Sequence, residues 1–185
     1  MSGIAEGMME GRFADPGVKV YEFADEVLVR CPVCGGCALV LARLGECEHR
    51  WVGGREYTRR RLRCGCGHVR DEFQDCRTFG QPVDPYFQLP LWLAADCCGG
   101  QQLWAYNLAH LDLLESYIGA GLRERAAIPG SMSLVERLPA WVKSAKHRTE
   151  ILRTIRRLRA SVPQGRQADQ PVDDVATGSQ AAPPS

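Results

Sequence analysis

The chain has 185 residues, of which 45% are hydrophobic and 24% charged, and its 23 Lys and Arg residues nearly balance its 22 Asp and Glu residues. This composition is typical of a globular protein, and no apolar run approaches the ~18 residues that a membrane span needs. The first residues lack a basic region followed by an apolar core, which argues against a signal peptide, and we expect a cytoplasmic protein whose nine cysteines are ligands or buried thiols.

The balanced net charge hides separate acidic and basic segments. Residues 50–70 contain seven arginines and one glutamate, and residues 137–160 contain eight basic residues and one glutamate. Residues 71–120, which lie between them, contain seven acidic residues and one arginine. Either these segments neutralise one another in the folded protein, or the basic ones form a surface for nucleic acid or for an acidic protein.

The N-terminal half has the pattern of a small antiparallel sheet. Residues 1–17 show no sustained period, and we expect a loose lead-in there. A turn is predicted at Gly53 and Gly54. Strands are predicted at residues 18–23, 25–30, 37–44, 55–63 and 69–73. The last three would form the three-stranded layout of a ribbon.

Two short cysteine turns stand at one end of this ribbon: Cys31-Pro32-Val33-Cys34-Gly35 and Cys64-Gly65-Cys66-Gly67-His68. Thiolates are soft ligands, and a tetrahedral set of four sulfurs selects zinc. The glycines allow the backbone to curl around the ion. The pattern therefore predicts a zinc ribbon that holds about one Zn²⁺ per chain. The expected ligands are Cys31, Cys34, Cys64 and Cys66, with His68 or Cys76 as the alternative to one of the second pair.

The strand that returns to the second turn carries a basic face. Because side chains alternate along a strand, one face holds Tyr57, Arg59, Arg61 and Arg63. Such a row can follow a phosphate backbone while Tyr57, together with Trp51, stacks on bases. The alternative is an edge strand whose charges prevent pairing with other chains.

The C-terminal half combines a hairpin with helices. A proline-rich connection at 80–90 leads to a hairpin formed by residues 90–97 and 101–107. Helices are predicted at 108–126 after an Asn107 cap, at 134–143, and at 145–159 after a Ser144 cap. Residues 161–185 have no apolar period, and we expect a disordered tail.

The last predicted helix has two different sides. Its buried stripe consists of Ile151, Leu152, Ile155 and Leu158. The remaining surface is basic, and a basic helical surface suits phosphate groups. We predict nucleic-acid contacts from Lys146, Arg153, Arg156 and Arg157.

Cys97 and Cys98 allow several interpretations. Neighbouring residues of a strand point to opposite faces, so both can bind one ion only if the chain turns there. Gly99 and Gly100 provide such a turn. The alternatives are an ordinary buried thiol, a second metal site and a vicinal disulfide.

Three segments carry a family resemblance: L-P-L-W-L, C-C-G and L-W-A-Y-N within 89–111, L-R-E-R at 122–125, and S-L-V-E-R-L-P-A-W-V-K-S-A-K-H-R at 133–148. They resemble a family of small, largely uncharacterised bacterial proteins with an N-terminal TFIIB-type zinc ribbon. The resemblance covers roughly residues 28–160. It implies the ribbon fold and its metal, and it implies no established activity. The family's second turn is usually C-x-x-C, whereas this chain has C-x-C.

These patterns together predict an α+β fold, with a zinc-ribbon sheet over 18–79 and a hairpin and helices over 80–160 packed on it. No catalytic motif is present, and a zinc ion with four thiolates has no open position, so we predict a protein that is not an enzyme. The expected function is nucleic-acid binding, mostly without sequence specificity. The alternative is a protein-interaction adaptor that docks on a larger complex.

Overall fold

A computed structural model describes residues 11–42, 49–52, 54–75, 79–124 and 132–163 of the chain. These residues form an antiparallel sheet, a second hairpin and C-terminal helices, which confirms the predicted α+β class. Cys47, Cys76 and the predicted tail beyond residue 163 lie outside the described residues. No described helix is long and apolar enough to cross a membrane.

The main sheet is built around one long strand. Its strands are β2 (Glu26–Arg30), β3 (Cys37–Ala42), β4 (His49–Val52), β5 (Arg55–Cys64) and β6 (Val69–Asp75). Both β3 and β4 pair with one edge of β5, β6 pairs with its other edge, and β2 lies outside β3. All of these pairings are antiparallel, so β3, β5 and β6 form the predicted three-stranded antiparallel arrangement, which β2 and β4 extend.

Both faces of β2 and β3 are buried. Residues 27–29 and 37–40 are all apolar and all buried. Leu28 and Leu39 pack on one side with residues of the helices. Val27 and Val40 pack on the other side, in a cluster that includes Tyr86 from the connection before the hairpin. The sheet therefore lies between two apolar layers, as a strand with no polar face requires.

The predicted second hairpin is confirmed as β7 (Ala94–Cys97) and β8 (Gln101–Trp104). Backbone bonds join its flanks to the outer edge of β2: Leu28 donates to Tyr106 at 2.8 Å, and Trp92 donates to Leu28 at 2.9 Å. The hairpin region thus covers an edge that would otherwise expose unpaired backbone groups.

The first helix, α1 (Leu108–Gly119), begins where predicted and ends earlier. The Asn107 side chain accepts a bond from the His110 backbone N–H at 2.9 Å, as an N-cap should. Beyond Gly119 the chain forms β9 (Leu122–Glu124), which pairs in parallel with β1 (Arg12–Ala14). Two predictions are therefore wrong: the helix does not reach residue 126, and the expected loose lead-in contains a strand.

The remaining helices are shorter than predicted. Pro139 separates α2 (Leu134–Arg137) from α3 (Ala140–Lys143), because proline removes a backbone donor. A 3₁₀ turn (Ala145–His147) precedes α4 (Arg148–Ala160), and the Ser144 side chain makes no capping bond. The predicted strand at 18–23 is wrong as well, since Val20–Phe23 form a 3₁₀ turn.

Candidate metal centre

The first cysteine turn follows directly from the end of β2. The Cys31 N–H donates to the Gly36 carbonyl at 2.8 Å, and the Gly35 N–H donates to the Cys31 carbonyl at 2.9 Å. Gly35 has φ of 70°, a conformation that glycine adopts without strain. These bonds curl the chain so that the Cys31 and Cys34 sulfurs lie on the same side of the turn.

The second turn follows the end of β5 and is closed in a similar way. The Cys64 N–H donates to the His68 carbonyl at 2.9 Å, and the Gly67 N–H donates to the Cys64 carbonyl at 3.0 Å. Cys64 is the last residue of β5, and Cys66 lies in the turn itself.

The two turns bring all four predicted ligands together. The sulfurs of Cys31, Cys34, Cys64 and Cys66 lie within 4.8 Å of one another. Cys31 and Cys66 are separated by 3.8 Å, and Cys34 and Cys64 by 3.6 Å. Four sulfurs placed tetrahedrally at about 2.3 Å from one ion would be about 3.8 Å apart. The arrangement therefore fits a thiolate-bound metal ion.

Hydrogen bonds near the sulfurs give Cys31 and Cys34 different pKa values. Backbone N–H groups of Cys34 and Val33 point at the Cys31 sulfur and, against the effect of burial, lower its pKa to about 7. The Gly36 N–H bond at 3.4 Å lowers the pKa of Cys34, but hydrogen bonds with Cys66 and Cys64 and burial raise it, to about 12 overall. A bound cation would favour the thiolate form of its cysteine ligands.

The alternative ligands do not join this group in the described part of the chain. His68 is not among the clustered residues, although its Nε2 atom is buried with no hydrogen-bond partner. Cys76 lies outside the described residues.

The basic face of β5 is present, and it is partly neutralised. Arg60 and Leu62 are buried, which places Tyr57, Arg59, Arg61 and Arg63 on the opposite face as predicted. Asp71 of β6 accepts from Arg59 Nε at 2.8 Å and from Arg61 Nε at 3.1 Å. The cross-strand register places Asp71 directly opposite Arg61.

The exposed side of α4 is also basic. Ile151, Thr154, Ile155 and Leu158 are buried on one side of the helix. Arg153, Arg156 and Arg157 are exposed on the other, and Lys146 is exposed in the preceding 3₁₀ turn. Among the described residues, no carboxylate is recorded in an ion pair with these four, whereas Arg159 binds Asp112 of α1 at 2.6 Å.

The basic face of β5 and the basic helix α4 lie on the same side of the main sheet. Arg61 and Arg63 are opposite Leu41 and Leu39 of β3 in the strand register, so their side chains share a face of the sheet. Leu39 packs in the same cluster as Ile151 of α4. The side chain of Trp51, the other proposed stacking residue, lies outside the described part.

No protein-family model, no curated protein and no solved structure significantly matches this chain. The resemblance to bacterial zinc-ribbon proteins therefore stays a prediction, and the chemistry of the site alone supports a metal ion at the four cysteines.

Proposed function

We propose that the protein binds nucleic acid, mostly without sequence specificity, on a scaffold that a zinc ion stabilises. The observation that carries this proposal is the exposed stripe of Arg153, Arg156 and Arg157 on α4. Among the described residues, no carboxylate forms an ion pair with these three arginines. Phosphate groups of a polynucleotide are natural counter-charges for such a stripe.

Zinc is the ion that four thiolates favour. Bound at Cys31, Cys34, Cys64 and Cys66, it would fasten the turn between β2 and β3 to the turn between β5 and β6. With four protein ligands it would have no exchangeable position, so its role here would be structural.

The strand β5 would extend the phosphate-binding surface. Arg59 and Arg61 both donate to Asp71, so in the ion pairs seen among the described residues two guanidinium charges meet one carboxylate charge. Tyr57 is partly exposed on the same face and is available to stack on a base. Contacts to phosphate carry no sequence information, which is why we propose binding without strong sequence preference.

The direct test is fluorescence anisotropy with labelled single-stranded and duplex DNA and RNA over a series of salt concentrations. We expect binding that weakens steeply as salt rises. Changing Arg153, Arg156 and Arg157 together to Gln should flatten the dependence of log K on log salt, by about 0.7 to 0.9 for each phosphate that is no longer bound. Arg137→Gln on α2 is a single-charge control, since Arg137 is exposed and lies on neither β5 nor α4. No binding of the wild type at low salt would contradict the proposal.

A protein-docking function is the second candidate, and a different observation favours it. Val33 and Val69, in or next to the two cysteine turns, are 68% and 54% exposed. Exposed apolar residues at one end of a sheet suit a protein interface. If nucleic acid does not bind at low salt, capture of a defined complex by wild type and not by a Val33→Ser, Val69→Ser variant would support this alternative.

A further inference from the structure

Outside the four-cysteine centre, a second group of ligand side chains lies where the hairpin meets the last helix. Cys97 ends β7, Cys98 begins the turn, and Glu150 stands in the first turn of α4. One ligand atom from each of the three lies within 4.8 Å of the others. Because Glu150 is far from the cysteines in sequence, only the fold brings it to them.

The backbone at Cys98 explains how two adjacent cysteines can face one point. Its φ is 55°, and Gly99 and Gly100 follow with φ of 78° and 89°. Adjacent residues of a regular strand would point their sulfurs apart. The left-handed turn that begins at Cys98 breaks this alternation. A cysteine in this conformation is strained by about 1 kcal/mol or more, whereas glycine would fit it without strain.

Cys97 and Cys98 are both buried, unlike thiols at the protein surface. Cys97 is 5% exposed and Cys98 is 7% exposed. The Glu150 carboxylate is fixed beside them, because its Oε1 accepts a bond from the Cys98 backbone N–H at 2.6 Å. The Glu150 residue itself is exposed, so the carboxylate stands at the boundary between the buried thiols and solvent.

We propose that Cys97, Cys98 and Glu150 form a second metal site, which takes Zn²⁺ or a similar thiophilic divalent ion. Two sulfurs and one carboxylate oxygen suit such an ion, since zinc accepts both ligand types. Among the described residues only three protein ligands are present, so a tetrahedral ion would take its fourth ligand from solvent or another molecule. This site would therefore differ in kind from the closed four-cysteine centre.

The test counts zinc in the full-length protein after it is purified with zinc and dialysed against metal-free buffer. We expect two zinc ions per chain in the wild type and one in Cys98→Gly. That variant removes a ligand, and it should remain folded because glycine favours the positive φ found at Cys98. Glu150→Gln keeps an acceptor for the Cys98 N–H and should bind the second ion at least about tenfold more weakly, because it loses a charged ligand.

Cys37→Ala is the matched control, since Cys37 is a buried thiol of the same core cluster and belongs to neither ligand group. It should keep both ions. A wild type and a Cys98→Gly variant that hold the same number of zinc ions would overturn the proposal. Cys31→Ser separates the two sites, because it should lose the ion of the four-cysteine centre and keep the ion at Cys97 and Cys98.

Discussion

Asp71 partly neutralises the positive charge of β5 that a ligand could contact. Its carboxylate accepts from Arg59 and Arg61 and is 19% exposed. The sequence places it in an acidic segment, but only the register of β6 against β5 shows which arginines it neutralises. Nucleic acid would have to compete with Asp71 for these two guanidinium groups.

Asp71→Asn should therefore strengthen nucleic-acid binding and make its salt dependence steeper, because Arg59 and Arg61 lose a shared counter-charge that competes with phosphates. The loss in stability should be small, about 1 kcal/mol or less, since both ion pairs are partly exposed. Anisotropy titrations measure the binding. Asp96→Asn adds the same charge at an exposed position on β7 and is the control. Equal effects of the two variants would show that the net charge of the protein, and not the contact of Asp71 with Arg59 and Arg61, changes the binding.

His110 is a buried histidine in an aromatic environment. It lies on α1 and is only 2% exposed. Phe23 stacks on its ring at 4.8 Å between centroids, and Trp104 and Tyr106 contact it edge-on. Burial lowers the pKa of His110 from 6.5 to about 4.

This lowered pKa predicts acid sensitivity. Between the two pKa values the unfolded chain binds a proton at this histidine and the folded protein does not, so stability is lost as the pH falls. From about pH 7 to about pH 5 the loss at this residue should be about 2 kcal/mol. His110→Asn should remove that part of the difference, as measured by denaturant unfolding at both pH values. An unchanged difference would contradict the assignment.

At the scale of elements, the first cysteine turn depends on a glycine that touches a ligand. A Cβ at Gly36 would lie 3.3 Å from the Cys34 sulfur, whereas a Cβ at Gly119 would meet nothing within 4 Å. A sulfur that is held by a metal ion has little freedom to move away. The lack of a side chain at Gly36 therefore leaves the space that the Cys34 sulfur needs in order to bind a metal ion.

Gly36→Ala should weaken metal binding by about tenfold, a typical effect of disturbing the surroundings of a ligand. Competition with a chromophoric chelator measures the affinity. Gly119→Ala at the end of α1 is the matched control and should bind the metal as the wild type does. If both variants retain wild-type affinity, the turn is less rigid than we infer.

Elements with local signals were predictable from the sequence. The cysteine turns, the hairpin at Gly99 and Gly100, and the Asn107 cap each depend on a few neighbouring residues, and the structure has all three. The pairing of β1 with β9 has no local signal, because each strand has three residues and the two are distant in sequence. Glu150 escaped prediction as a ligand for the same reason.

At the scale of the whole molecule, the sheet is held between two apolar layers and ends in the four cysteines. The helices and the basic face of β5 lie on one side of it, and the connection containing Tyr86 lies on the other. A metal ion at the cysteines would lock the turns that end β2 and β5. Binding of the ion and folding of this end of the sheet should therefore be coupled.

The most direct test of this account is the zinc content of wild-type protein and of the Cys31→Ser variant, measured by elemental analysis after preparation without chelators. We predict that the variant holds one zinc ion per chain fewer than the wild type, because Cys31 is the buried ligand of the set and its loss leaves the turn between β2 and β3 without its fastening to the ion. A wild type without zinc, or a variant with as much zinc as the wild type, would contradict the central claim that these four cysteines hold the ion.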